Sequence, residues 1–102
     1  MIKVIRGYRL KKRADIQSTL LKLRSHALTY PGFVGGENLI SEKDSRIVAM
    51  LSTWEDAEQW RLWETSTTVQ EILKGINSHI LGKPRVTVYK IMPTTKTLDW
   101  VG

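Results

Sequence analysis

The stretch Ser52-Thr53-Trp54-Glu55-Asp56-Ala57-Glu58-Gln59-Trp60-Arg61-Leu62-Trp63 decides how the chain is read. The apolar run Ile47 to Leu51 leads into it without alternation, which predicts a strand over 46–53 with both faces covered. Glu55, Asp56 and Glu58 then fall in the first turn of a helix predicted over 55–65, where the positive end of the helix dipole favours carboxylates. Trp60 and Trp63 stand one turn apart on that helix. The chain's bulkiest apolar side chains are thus gathered where a strand hands over to a helix.

Working back from this stretch, Ser41 to Ser45 is a polar hairpin loop. Before it, Phe33 to Ile40 reads as a strand with Phe33 and Leu39 on one face and Val34, Asn38 and Ile40 on the other. Gly35-Gly36 interrupts that strand and marks a bulge or the close approach of another group. Tyr30-Pro31-Gly32 ends a helix whose apolar stripe is Ile16, Leu20, Leu23 and Ala27, widened by Leu21 and Leu28. Residues 2–10 alternate, with Ile2, Val4, Arg6, Tyr8 and Leu10 on the mainly buried face. Working forward, Ser66-Thr67-Thr68 can cap a further helix with apolar positions Val69, Ile72, Leu73 and Ile76. Gly82-Lys83-Pro84 breaks it before a last strand, Val86 to Ile91.

This order predicts an α+β fold, β-α-β-β-α-β, with an antiparallel sheet and helices on one face. One domain over 1–93 and a polar tail over 94–102, carrying Leu98, Trp100 and Val101, account for all 102 residues. The other sheet face is left bare, and a face-to-face homodimer is the simplest cover for it.

The totals narrow the function. With no cysteine there are no disulfides, thiol nucleophiles or cysteine metal sites. No segment approaches the ~18 apolar residues of a membrane span, so a soluble, cytoplasmic protein is expected. The net charge of +6 is uneven. Residues 1–30 hold eight basic side chains against Asp15 alone, a net +7, and the remaining 72 hold eight basic and nine acidic, a net −1. Basic residues alternating with apolar ones describe a solvated face, or one that draws anionic small molecules. Nucleic acid is not expected as a partner.

Pro31-Gly32-Phe33 before a glycine-bearing strand, with Ser-Thr-Trp-Glu-Asp-Ala-Glu-Gln-Trp at 52–60 and Trp63 three further on, resembles the antibiotic biosynthesis monooxygenase (ABM) domain over roughly 2–92. The resemblance implies a ferredoxin-like protomer pairing into a dimeric α+β barrel, with an apolar pocket between helices and sheet. The chemistries it implies diverge. Some such proteins oxidise quinols or other electron-rich aromatics with dioxygen and no cofactor. Others bind or degrade haem, and others have no established activity.

The leading expectation is a cofactor-independent monooxygenase acting on a quinol-like aromatic and dioxygen, with no metal. Trp63 lines its pocket or acts in it, and His26 is the candidate base, since an unperturbed histidine titrates near neutrality. Tyr8, Asn38, Trp60 and Arg85 are candidate substrate contacts. Each also has a plain structural reading: Trp60 and Trp63 as core, His26 as a helix histidine, Tyr8 and Asn38 as sheet hydrogen-bonding groups, Arg85 as a surface cation. Haem chemistry is the first alternative. The resemblance puts its ligand at position 73, where this chain has Leu73, and offers no first-strand Asn; His79 is the nearest substitute. A non-enzymatic dimeric ligand-binding module is the second.

Overall fold

The computed structural model describes residues 1–11 and 16–93. The elements run β1 Ile2–Arg9, α1 Gln17–Ala27, β2 Phe33–Ile40, β3 Ile47–Trp54, α2 Ala57–Glu64, α3 Thr67–Asn77 and β4 Arg85–Lys90. The four strands form one antiparallel sheet in the order β2-β3-β1-β4. The three helices cover one face. The tail over 94–102 lies outside the described residues, as do Lys12, Arg13 and Asp15 of the basic first third.

Strand β1 is buried at Ile2, Val4, Arg6 and Tyr8, and Leu10 just past its end is buried as well, the parity the alternation predicts. In β3 the residues toward the helices, Val48, Met50, Ser52 and Trp54, are buried, whereas Ala49, Leu51 and Thr53 are half-buried and Ile47 is exposed. Within one chain the apolar run therefore has cover on one side only.

Helix α1 buries Leu20, Leu23 and Ala27, with Ile16 just ahead of it. Leu21 and Leu28 are solvent-exposed, so the stripe is narrower than the sequence suggests. They lie on the flanks of an arc that one sheet can cover only at its centre. Helix α2 starts two residues later than predicted. Asp56 is its cap, accepting from the Gln59 N–H at 2.9 Å. Glu55 precedes the cap, and its N–H donates to the Gly32 carbonyl at 2.8 Å. Ser66 caps α3 as expected, accepting from the Val69 N–H at 3.4 Å.

In β2 a register shift lies between Phe33 and Gly35. Phe33 opposes Trp54, Gly36 opposes Ser52 and Asn38 opposes Met50, all on the helix side. Strict alternation pairs Phe33 with Leu39. The bulge inserts one residue and puts Phe33 with Asn38 instead, while Leu39 stays exposed.

Candidate functional site

Successive rows of side chains cross the helix-facing side of the sheet. Phe33 and Trp54 make one bulky row, and Asn38 and Met50 another. Between them lies the row Gly36 and Ser52, with almost no side chain. A Cβ at Gly36 would collide with the Leu51 carbonyl oxygen, so β2 can lie this close to β3 only with glycine there. The thin row leaves a hollow, bounded by Arg24 and Ala27 of α1 and by Trp63 of α2. Glu37 and Leu51 complete its lining. Its volume is about 10 Å³, room for one water molecule.

Trp63 is held firmly. Its ring lies 5.6 Å from that of Trp54, which meets Phe33 edge-on at 5.1 Å. The Ser66 hydroxyl donates to the Trp63 carbonyl at 2.7 Å. Two polar atoms of the lining, Trp63 Nε1 and Asn38 Oδ1, are buried without a hydrogen-bond partner among the described residues. Burying an unpaired polar atom costs about 1–3 kcal/mol, a cost that a polar partner at either atom would relieve.

A second polar group sits on the same sheet face. Arg6, 6% exposed, forms an ion pair with Glu64, the residue after Trp63. Tyr8, two residues along the same face of β1, is buried with its hydroxyl unpartnered. Burial lowers the pKa of the Arg6 guanidinium, opposed by the neighbouring Tyr8. Burial raises the Tyr8 pKa, opposed by the nearby charge of Arg6.

Of the residues singled out from sequence, the structure brings Trp63 and Asn38 together at the hollow. Trp60 and Tyr8 belong to the core beside it and are not part of its lining. His26 faces elsewhere: on a helix it stands about 200° around the axis from Arg24, and its ring packs edge-on against Tyr30 at 5.2 Å. Its Nε2 is buried and unpartnered. Arg85 is exposed on β4, three strands from β2 and so about 14 Å away across the sheet. His79 is exposed past the end of α3, and Leu73 packs against the core, so the described residues offer no haem ligand beside Trp63. No three His, Asp or Glu side chains among the described residues are grouped to hold a metal ion.

Sequence reasoning missed the Gly36–Ser52 floor, the Arg24 and Glu37 lining and the Arg6–Glu64 pair. A signal existed for two of them: the double glycine in β2, and an arginine on the buried parity of β1.

The family model described as "Antibiotic biosynthesis monooxygenase" matches residues 1–75. No curated protein matches the chain. Several solved structures share the fold. SnoaB, a cofactor-independent oxygenase from Streptomyces nogalater, superposes with a TM-score of 0.80 at 12% identity, covering 92% of this chain and 95% of its own. A conserved protein from Methanosarcina mazei Go1 has a TM-score of 0.79 at 19% identity, covering 89% and 92%. Rv0793 from Mycobacterium tuberculosis has 0.81 at 10% identity, covering 92% and 97%. At these identities the structures establish the fold, and the matched family model establishes the kinship. The chain belongs to the antibiotic biosynthesis monooxygenase family.

Proposed function

We propose that this family member is an oxygenase that acts on a quinol-like aromatic ring without a metal or organic cofactor. One ring hydroxyl is held between Trp63 and Asn38. The observation that carries this reading is the pair of buried, unpartnered atoms, Trp63 Nε1 and Asn38 Oδ1, on a single hollow. An indole N–H only donates and a carboxamide oxygen only accepts, while a hydroxyl does both. Once ionised, the ring oxygen gains more from the indole N–H, because hydrogen bonds to charged acceptors are stronger.

The oxidation then belongs to the ring. A quinolate passes one electron to dioxygen, the two radicals join at the ring carbon beside the oxygen, and the peroxide loses water. Quinol plus dioxygen gives hydroxyquinone plus water, and the ring supplies all four electrons. The protein's part is to orient the ring, exclude water and favour its ionised form. Glu37 stands opposite Leu51 on the bare face and is exposed, so its carboxylate does not face the hollow, and the ring enters as its phenolate. Arg24, along the hollow, attracts an anionic ring. His26, on another side of α1, would need the helix to turn before it could serve. Ring entry displaces the single water the hollow can hold and needs Met50 to swing, which its unbranched thioether allows. A second copy of the chain covering the bare sheet face belongs to the same reading, since that face is otherwise left with half-buried Ile5, Ala49 and Leu51.

Oxygen-electrode measurements with chelator-treated protein and a hydroquinone test this. We expect one dioxygen consumed per quinol, no hydrogen peroxide, and a rate at least tenfold lower in Trp63→Phe. Uptake equal to protein-free autoxidation would leave a binding module and overturn the enzymatic reading.

A further inference from the structure

We infer that the Arg6–Glu64 ion pair positions Trp63: it fixes the roll of α2 on the sheet so that the indole N–H faces the hollow. The consequence for turnover rests on the reading above, whereas the placement of the indole does not. Helix α2 has eight residues, of which only Trp60 and Trp63 are buried. At about 100° per residue, Trp63 stands roughly 60° to one side of Trp60 and Glu64 roughly 40° to the other. Trp60 is therefore the middle of the face that α2 turns to the core. On one side of it Trp63 reaches the hollow over β2 and β3, and on the other Glu64 reaches Arg6 on β1.

Apolar contact cannot hold that roll by itself, because it has no direction. A modest turn of α2 would keep both rings in the core while swinging Trp63 Nε1 off the hollow. The ion pair does have a direction, since a guanidinium presents its N–H groups in a fixed planar fork. Arg6 is also a firm post. It is buried on a strand paired on both sides, with Met50 and Val86 as its cross-strand neighbours. Among the described residues, this pair is the only polar contact that joins a side chain of α2 to a strand. The other polar ties at this end of the helix run to α3. The Ser66 hydroxyl holds the Trp63 carbonyl, and Gln70 Nε2 donates to the Glu64 carbonyl at 2.6 Å. Those bonds join helix to helix and leave the roll against the sheet to Arg6.

Stability is a poor reason for the pair, since apolar residues of similar volume often serve a small core as well or better. What such residues lack is direction. Glu64 follows Trp63 directly in the chain, so the contact that holds one side chain fixes the backbone of the other.

Heteronuclear NMR of the tryptophan indole N–H groups tests the placement without substrate, with the Trp63 signal assigned by its loss in Trp63→Phe. Replacing the pair together, Arg6→Met with Glu64→Leu, leaves no lone buried charge and should keep the thermal midpoint close to that of wild type. The Trp63 signal should nevertheless shift or split. In oxygen uptake with hydroquinone, kcat/KM of that variant should fall at least tenfold. Arg6→Lys keeps the charges without the fork; it should restore a single Trp63 signal and bring kcat/KM to within threefold of wild type. A role in stability alone would lower the midpoint and leave the Trp63 signal of the folded variant where it was. If circular dichroism shows the paired variant unfolded, Glu64→Gln decides instead, with a displaced Trp63 signal and a loss of at least threefold expected. An unmoved Trp63 signal in the folded variant overturns the inference, and the proposed function then stands or falls on its own test. If the signal moves but the wild-type chain consumes no dioxygen beyond autoxidation, the proposed function falls and the placement of Trp63 stands.

Discussion

The two faces of the sheet are built from the same strands and differ in kind. Toward the helices lie buried tryptophans, buried polar atoms without partners, and an ion pair whose Arg6 is buried and whose Glu64 is half-buried. On the other side, Ile5, Ala49, Leu51 and Thr87 form a plainer surface, half-exposed in the single chain. Apolar burial explains the first face only in part, because Arg6, Tyr8, Asn38 and Ser52 are costly there. The second face has the opposite problem: its apolar groups lack cover. In the proposed reading this difference divides the labour: recognition falls to the covered face, and a partner copy to the bare one.

Substitutions that treat the faces differently test this contrast. The largest loss is expected for Trp54→Ala, which removes a fully buried ring packed between Phe33 and Trp63. Denaturant titration should show a destabilisation of about 3–5 kcal/mol. Next comes Arg6→Ala, which strands the Glu64 carboxylate and should cost about 3 kcal/mol, whereas the paired replacement by Met and Leu should lie within about 1 kcal/mol of wild type. Equal losses in the two would mean that the pair is only packing.

A third test is alkaline. Tyr8 has its folded pKa raised by burial, so the folded state holds that proton more tightly than the unfolded one. Its contribution is complete below the unfolded value near ~10. It is lost as pH climbs toward the folded value, at up to about 1.4 kcal/mol per pH unit. Tyr8→Phe should flatten that part of the stability curve. The smallest effect on the protomer is expected on the bare face. Leu51→Lys should change monomer stability by less than about 0.5 kcal/mol. In sedimentation it should shift the mass from two chains toward one. A wild-type chain that sediments as a monomer at every concentration would remove the partner copy.

The legible parts of the site share a feature: they depend on local period alone. The alternation of β1 placed Tyr8 and Arg6 on the buried parity, and the spacing of Trp54, Trp60 and Trp63 set one helix against one strand. What could not be read depends on register and roll. Gly35-Gly36 announced a bulge but not its effect on parity, so Asn38 was separated from Phe33 when the structure puts them on one face. His26 looked close to the apolar stripe of α1, yet the roll of that helix turns Arg24 to the hollow and His26 to Tyr30. Glu64 is an ordinary helix glutamate in sequence, and only the packing of α2 across β1 makes it the partner of Arg6.

The sequence by itself determined the α+β order of elements, the antiparallel sheet and the family, because each rests on side-chain periods and on a strand-to-helix junction that neighbouring residues define. Tertiary structure alone decided the hollow and its lining. A one-residue bulge in β2, a glycine opposite a serine, and the roll of two helices bring residues from four elements to one place. Those are relations between segments far apart in the chain, and no local period encodes them.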